Sequence, residues 1–148
     1  MRKLLISFVT VAILSGCQTA EDGLTTSSTP TTVTGPAASA IAGDMASRLA
    51  EQIGPSATMT IKIEKDSSDF ASALEAALKG WGYTVVTDGK VGRVGKDVKL
   101  VELGYSIDGV DGQVLARLST PSIALGRAYT ATAAGAVPAS PLSIMQRN

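Results

Sequence analysis

The chain holds one thiol, at Cys17, and no histidine. A serine or cysteine nucleophile activated by imidazole is therefore excluded, as are imidazole metal sites and the usual near-neutral protonation switch. A single cysteine also excludes an intramolecular disulfide, a Cys-x-x-Cys site and a cysteine-based zinc cluster. The segment Asp88-Gly89-Lys90-Val91-Gly92-Arg93-Val94-Gly95-Lys96-Asp97 has the glycines and cations of a phosphate-cradling loop. Such a loop needs glycine, four residues, then Gly-Lys-Ser/Thr. Lys90 stands where the first glycine belongs and Asp97 where the magnesium-binding hydroxyl belongs, so the segment reads as a glycine-rich connection between strands. Asp108 and Asp111 invite a calcium reading, but a calcium loop spaces oxygen ligands at every second position and ends on a glutamate. Asp108-Gly109-Val110-Asp111-Gly112 instead reads as a tight turn. Glu75 has no obvious partner acid, and Glu102 alternates onto the polar face of a strand. The hydroxyls gather near the amino terminus with no base to activate one. No enzymatic activity, cofactor or metal site is expected.

The thiol itself sits in an informative context. Arg2 and Lys3 precede the apolar run of residues 4–14, and the small residues Ser15 and Gly16 follow. That is the layout of a secretory signal peptide, and the run falls short of the roughly 20 apolar residues that span a bilayer. Leu14-Ser15-Gly16-Cys17 resembles the bacterial lipobox, which implies diacylglyceryl transfer to the Cys17 thiol, cleavage before Cys17 and a third acyl chain on the new amino terminus. Each buried methylene contributes ~0.8 kcal/mol, and several chains make a durable anchor where one holds marginally. Gln18 follows the cysteine, and the absence of an aspartate there points to the outer rather than the inner membrane.

Elements must then carry the rest of the chain away from that anchor. Residues 18–36 are Thr/Ser-rich, lack apolar periodicity and end on Gly35-Pro36. They read as a tether that cannot bury enough surface to offset its ordering entropy, with a mean span of about 25 Å. From residue 37 to 53, Ile41, Met45, Leu49 and Ile53 recur every fourth position beside Ala38, Ala42 and Ala46, which predicts a helix. Its polar face carries Asp44, Ser47, Arg48, Glu51 and Gln52. Residues 57–63 alternate as a half-buried strand. Asp66-Ser67-Ser68-Asp69 offers N-cap chemistry to a second helix with Phe70, Leu74 and Leu78 as its stripe, closed by Gly80-Trp81-Gly82. Further strands are predicted over 83–87, 98–107, 113–119 and 123–130, and residues 133–148 read as a fraying tail. Four segments follow: a signal peptide over 1–16, lipidated Cys17 with its tether over 17–36, a periplasmic domain over 37–132, and the tail over 133–148. The fold class is α+β, a small single domain with two helices packed on a mixed or antiparallel sheet.

Composition constrains the partners. Thirteen basic residues balance 13 acidic ones, and losing Arg2 and Lys3 with the signal leaves a net charge of −2. The one local basic cluster is Lys90, Arg93 and Lys96. Three phosphate contacts give a log–log salt slope of only about −2 to −3, so direct nucleic-acid binding is not expected.

The lipidated start, the Thr-rich tether and the order α-β-α-β-β-β-β together resemble the TrbH family of conjugal transfer lipoproteins. The matching residues are Leu14–Cys17, the helix running into Gly80-Trp81-Gly82-Tyr83-Thr84-Val85, the strand Leu103-Gly104-Tyr105, and Gly126-Arg127-Ala128-Tyr129. The resemblance implies a component of a type IV secretion channel for plasmid transfer, working through contacts with other envelope proteins, and no catalytic residues. The flow from Phe70 to Val85 is also similar to the small α+β domains at the start of secretins, which assemble in rings, and that similarity implies a ring-forming homo- or hetero-oligomer. The alternative role is a pilotin-like factor that delivers another envelope protein to the membrane.

Overall fold

The computed structural model describes residues 33–87 and 97–148. The expected signal peptide, Cys17, most of the expected tether and the cluster Lys90, Arg93 and Lys96 lie outside the described residues. Helix α1 spans Gly35–Ile53. It begins two residues before the expected start at residue 37, because the missing N–H and fixed φ of Pro36 suit a first helical turn. Ala38, Ile41, Ala42, Met45, Ala46 and Leu49 are all buried, as their spacing requires. The helix stops at Gly54, whose φ of 87° ends the run while its N–H still reaches the Ala50 carbonyl. A single 3₁₀ turn over Ser56–Thr58 delays the first strand, β1, to Met59–Ile63.

Helix α2, Asp69–Gly80, starts on a relay of polar groups. The Ser68 hydroxyl accepts from the Ala71 N–H at 3.1 Å, capping the helix. Asp66 in turn accepts from the Ser68 N–H at 3.1 Å and the Ser68 hydroxyl at 2.8 Å, and Tyr105 donates its phenol to the same carboxylate. The Tyr105 ring also packs against Phe70 at 5.3 Å between centroids, tilted by 53°. These hydrogen bonds, that of Tyr105 foremost, hold the Asp66 carboxyl below its ordinary value. A carboxylate depressed in the folded state adds stability that is complete above about pH 5 and fades as pH falls through the unfolded and then the folded value. Asp66→Asn is therefore expected to be less stable than wild type at neutral pH and to lose less on acidification. Urea unfolding at pH 7 and pH 3 checks this.

Strands β2 (Thr84–Thr87), β3 (Lys99–Val110), β4 (Gln113–Ser119), β5 (Ile123–Thr132), β6 (Gly135–Pro138) and β7 (Ser143–Gln146) complete the described elements. The sheet runs β2-β1-β3-β4-β5-β6, with β7 also paired to β5. Its first half is parallel and its second half antiparallel. Parallel β1 and β2 are joined through α2, as a parallel pair requires. Strand β3 belongs to both halves, pairing β1 through residues 99–103 and β4 through residues 104–110. The β3–β4 hairpin turns on Asp111 and Gly112 alone, at φ of 51° and 77°. Two successive positive φ values match a primed turn, so the strand runs through Val110 instead of stopping at Ile107.

The expected tail over 133–148 is corrected by this sheet. Gly135–Pro138 pairs with residues 129–132 of β5, and Ser143–Gln146 pairs with residues 123–126. Together they form one edge strand broken at residues 139–142. The break is held by Arg127, whose Nε donates to the Ser140 carbonyl at 3.0 Å, and by the Ala128 N–H, which donates to the Ser140 hydroxyl at 2.9 Å. Four-residue strands such as Gly-Ala-Val-Pro and Ser-Ile-Met-Gln are too short to carry an apolar alternation that can be read from sequence.

Both helices cover one face of the sheet. Ile61, Val101, Leu103, Tyr105, Ile107, Ala116, Leu118 and Leu125 meet them in one continuous core. The face opposite the helices carries polar pairs such as Lys62 and Glu102, 3.2 Å apart. Glu75 is paired as well, with Lys79 one turn along α2. Among the described residues this is an α+β single domain of two α-helices and a seven-stranded mixed sheet.

Candidate functional site

The two helices run parallel, and polar contacts fix both of their ends. At the starting end the Gly35 N–H donates to Asp69 at 3.1 Å. At the finishing end the Tyr83 phenol donates to the Gly54 carbonyl at 2.6 Å. Burial raises the Tyr83 hydroxyl above its ordinary pKa, so it remains a donor. Between the ends, Asp44 on α1 accepts from Arg127 at 3.0 Å and from the Tyr129 phenol at 2.6 Å. Burial first, then the Asp44 hydrogen bond, pushes the Tyr129 hydroxyl upward and keeps it protonated. Gly126-Arg127-Ala128-Tyr129 is thus a clamp: alternation on β5 aims residues 127 and 129 at the helix layer, where they seat α1. Asp44 looked like part of a solvated face because its partners lie 83 and 85 residues away.

Gly80-Trp81-Gly82-Tyr83 builds the finishing end. Trp81 N–H reaches the Ala77 carbonyl, Gly82 N–H that of Lys79, and Tyr83 N–H that of Leu78. Gly82 sits at φ of 89°, and a Cβ there would lie 2.9 Å from the Ser56 hydroxyl. Gly82→Ala is accordingly expected to cost about 1–2 kcal/mol. Relief by Ser56→Ala in the double variant should recover only the clash, leaving the backbone term; denaturant unfolding measures both.

The same motif separates its aromatics. Tyr83 is buried, whereas Trp81 is 51% exposed and projects from the end of the helix layer. Beside it lies a shallow groove of about 280 Å³ bordered by Ala50, Glu51, Pro55 and Ser56. A larger groove of about 550 Å³ opens on the other side of the last turn of α1, bordered by Gln52, Ile53, residues 99–101, 121–123 and 146–148. Exposed Trp81 and Leu100 therefore share one end of the domain with both grooves. Isolated exposed apolar residues mean little, but Trp81 borders the smaller groove and Leu100 the larger, which makes this end the candidate contact surface.

Among the described residues, no three acidic side chains converge as a metal site. Among the described residues, no helix is long and apolar enough to cross a membrane. Leu14, Ser15, Gly16 and Cys17, expected from sequence to form a lipobox, lie outside the described residues. In sequence Trp81 and Tyr83 flank one presumed core junction, and nothing there separates the exposed Trp81 from the buried Tyr83.

No solved structure matches the chain. A match to the family of conjugal transfer protein TrbH extends over residues 19–148, through the clamp, the Gly80–Tyr83 turn and the edge strand. The chain belongs to the TrbH family of conjugal transfer proteins.

Proposed function

We propose that the protein is a lipid-anchored structural component of a conjugative type IV secretion channel, acting in the cell envelope by binding other transfer proteins. Acylated Cys17 holds the chain in the membrane, the outer one by the Gln18 criterion, and the tether presents the domain to the periplasm. The observation that supports this reading is the polarity of the domain. The chain enters at the start of α1, while Trp81 and both grooves lie at the finishing end of the helices. The 19 residues of α1 separate these ends by about 28 Å. An anchor at one end and a contact surface at the other suit a domain that reaches partners away from the bilayer.

Affinity purification from detergent-solubilised donor envelopes tests the reading. Transfer-apparatus proteins should be recovered in fixed stoichiometry with the wild-type chain. Trp81→Ala should change stability by less than about 0.5 kcal/mol, as exposed substitutions do, yet lower that recovery several-fold. Undiminished recovery from a folded Trp81→Ala protein would remove Trp81 from the contact. Association confined to the assembly period would favour the pilotin-like role instead.

A further inference from the structure

Among the described residues the sheet contains a gap. Residues 99–103 of β3 pair with β1 along one edge. Strand β4 begins its pairing only at Gly104, opposite Ser119, and the chain then turns away into β5. Among the described residues no strand pairs with the second edge of residues 99–103. Five residues of open strand edge span about 16 Å. The larger groove lies along this edge, in the line β4 would follow if it continued past Ser119.

The walls of the gap are well defined. On the far side the Arg147 N–H donates to the Ser122 carbonyl at 2.9 Å, and an Arg147 guanidinium N–H donates to the Thr120 carbonyl at 3.2 Å. These bonds hold β7 and the β4–β5 turn as a rigid rim. Ile53, Val101 and Ile123 supply an apolar floor, and Leu100 lies exposed on the other face of the edge. Two cationic side chains, Lys99 and Arg147, border the groove, and no carboxylate side chain does. Arg147 keeps guanidinium donors beyond the one given to Thr120.

We propose that this gap receives an extended segment of a partner protein by strand addition to β3. The segment alternates β-branched residues, one set covering the Ile53–Val101–Ile123 floor, and carries acidic residues at its ends to meet Lys99 and Arg147. Main-chain hydrogen bonds to residues 99–103 supply affinity, and the floor and rim supply selectivity. The inference deepens the partner-binding role above and rests on it for the biological setting, though not for the chemistry.

The probes are three synthetic heptapeptides: Asp-Val-Thr-Val-Thr-Val-Asp, the same core with lysine at both ends, and the acidic version with a central proline. Each is titrated into isotope-labelled full-length protein in detergent micelles, with amide shifts and hydrogen exchange read together. The acidic peptide should shift residues 99–103 and 120–123 and slow exchange at residues 99–103. It should bind about tenfold more tightly than the lysine-ended peptide, and the proline peptide should bind weakly or not at all. Lys99→Glu, at an exposed position, should erase or invert the charge preference without altering the fold; Arg147→Lys should retain it. Equal affinity for both charge types, shifts centred on Trp81 or β2, or no binding by any peptide would overturn the proposal. So would amides at 99–103 that are already protected and become free when residues 18–32 are deleted, since the chain's own tether would then fill the gap. Protection that grows with protein concentration would assign the gap to a second copy and overturn it equally. Failure here with intact co-purification would remove the gap alone; peptide binding without co-purification would remove the envelope role alone.

Discussion

Leu74→Ala and Leu103→Ala are each expected to lower the unfolding free energy by about 2–5 kcal/mol. Leu74 is fully buried at the middle of α2 and Leu103 is 2% exposed at the middle of β3. Removing three carbons at either site loses the transfer free energy of the side chain and leaves a void between the helix layer and the sheet. Leu103 stands where β3 leaves β1 and approaches β4, so its neighbours come from both halves of the sheet and have little freedom to collapse. Against a total stability of about 5–15 kcal/mol for an ordinary domain, either change can abolish function by unfolding alone. Chemical denaturation of the full chain and each variant measures the effect. Losses under about 0.5 kcal/mol at both sites, the scale of surface changes, would contradict the core described here.

Cys17→Ser is expected to eliminate lipid attachment. The thioether-forming thiol is the acceptor of the diacylglyceryl group in a lipobox, and a serine hydroxyl does not replace it. Cleavage before residue 17 should then fail, leaving a precursor that retains Arg2, Lys3 and the apolar run. With no polybasic stretch in the remaining chain, no electrostatic attraction substitutes for the acyl chains. Metabolic labelling with a radioactive fatty acid should mark wild type and leave the variant blank, with the variant migrating as the larger precursor. Equal labelling of the two would remove the lipoprotein assignment while leaving the domain's fold untouched.

Faces were legible in the sequence, and partners were not. The fourfold spacing of Ile41, Met45 and Leu49 and the alternation of Val101, Leu103, Tyr105 and Ile107 mark the buried sides that these residues occupy. Asp66 and Ser68 announce the start of α2 because capping is local chemistry. Periodicity carries no information about which strand lies beside which, so the parallel β2-β1-β3 half and the edge strand of residues 135–146 were missed. The Asp44–Arg127–Tyr129 clamp was invisible for the same reason, since contacts across more than 80 residues leave no local trace. The gap beside residues 99–103 is a property of topology alone. The opposite fates of Trp81 and Tyr83 follow from the positive φ of Gly82, which turns the chain so that Tyr83 enters the core and Trp81 does not.

The contact role of the finishing end is tested most directly by photo-cross-linking in donor cells. A benzophenone amino acid is placed at Trp81, and in a parallel strain at Gln113, an exposed residue of the β3–β4 hairpin away from both grooves. Both chains should accumulate to wild-type levels. Cross-links from position 81 to another protein of the transfer apparatus, absent or far weaker from position 113, are the expected result. Equal cross-linking from both positions, or none from position 81 in cells that transfer plasmid normally, would contradict the docking end.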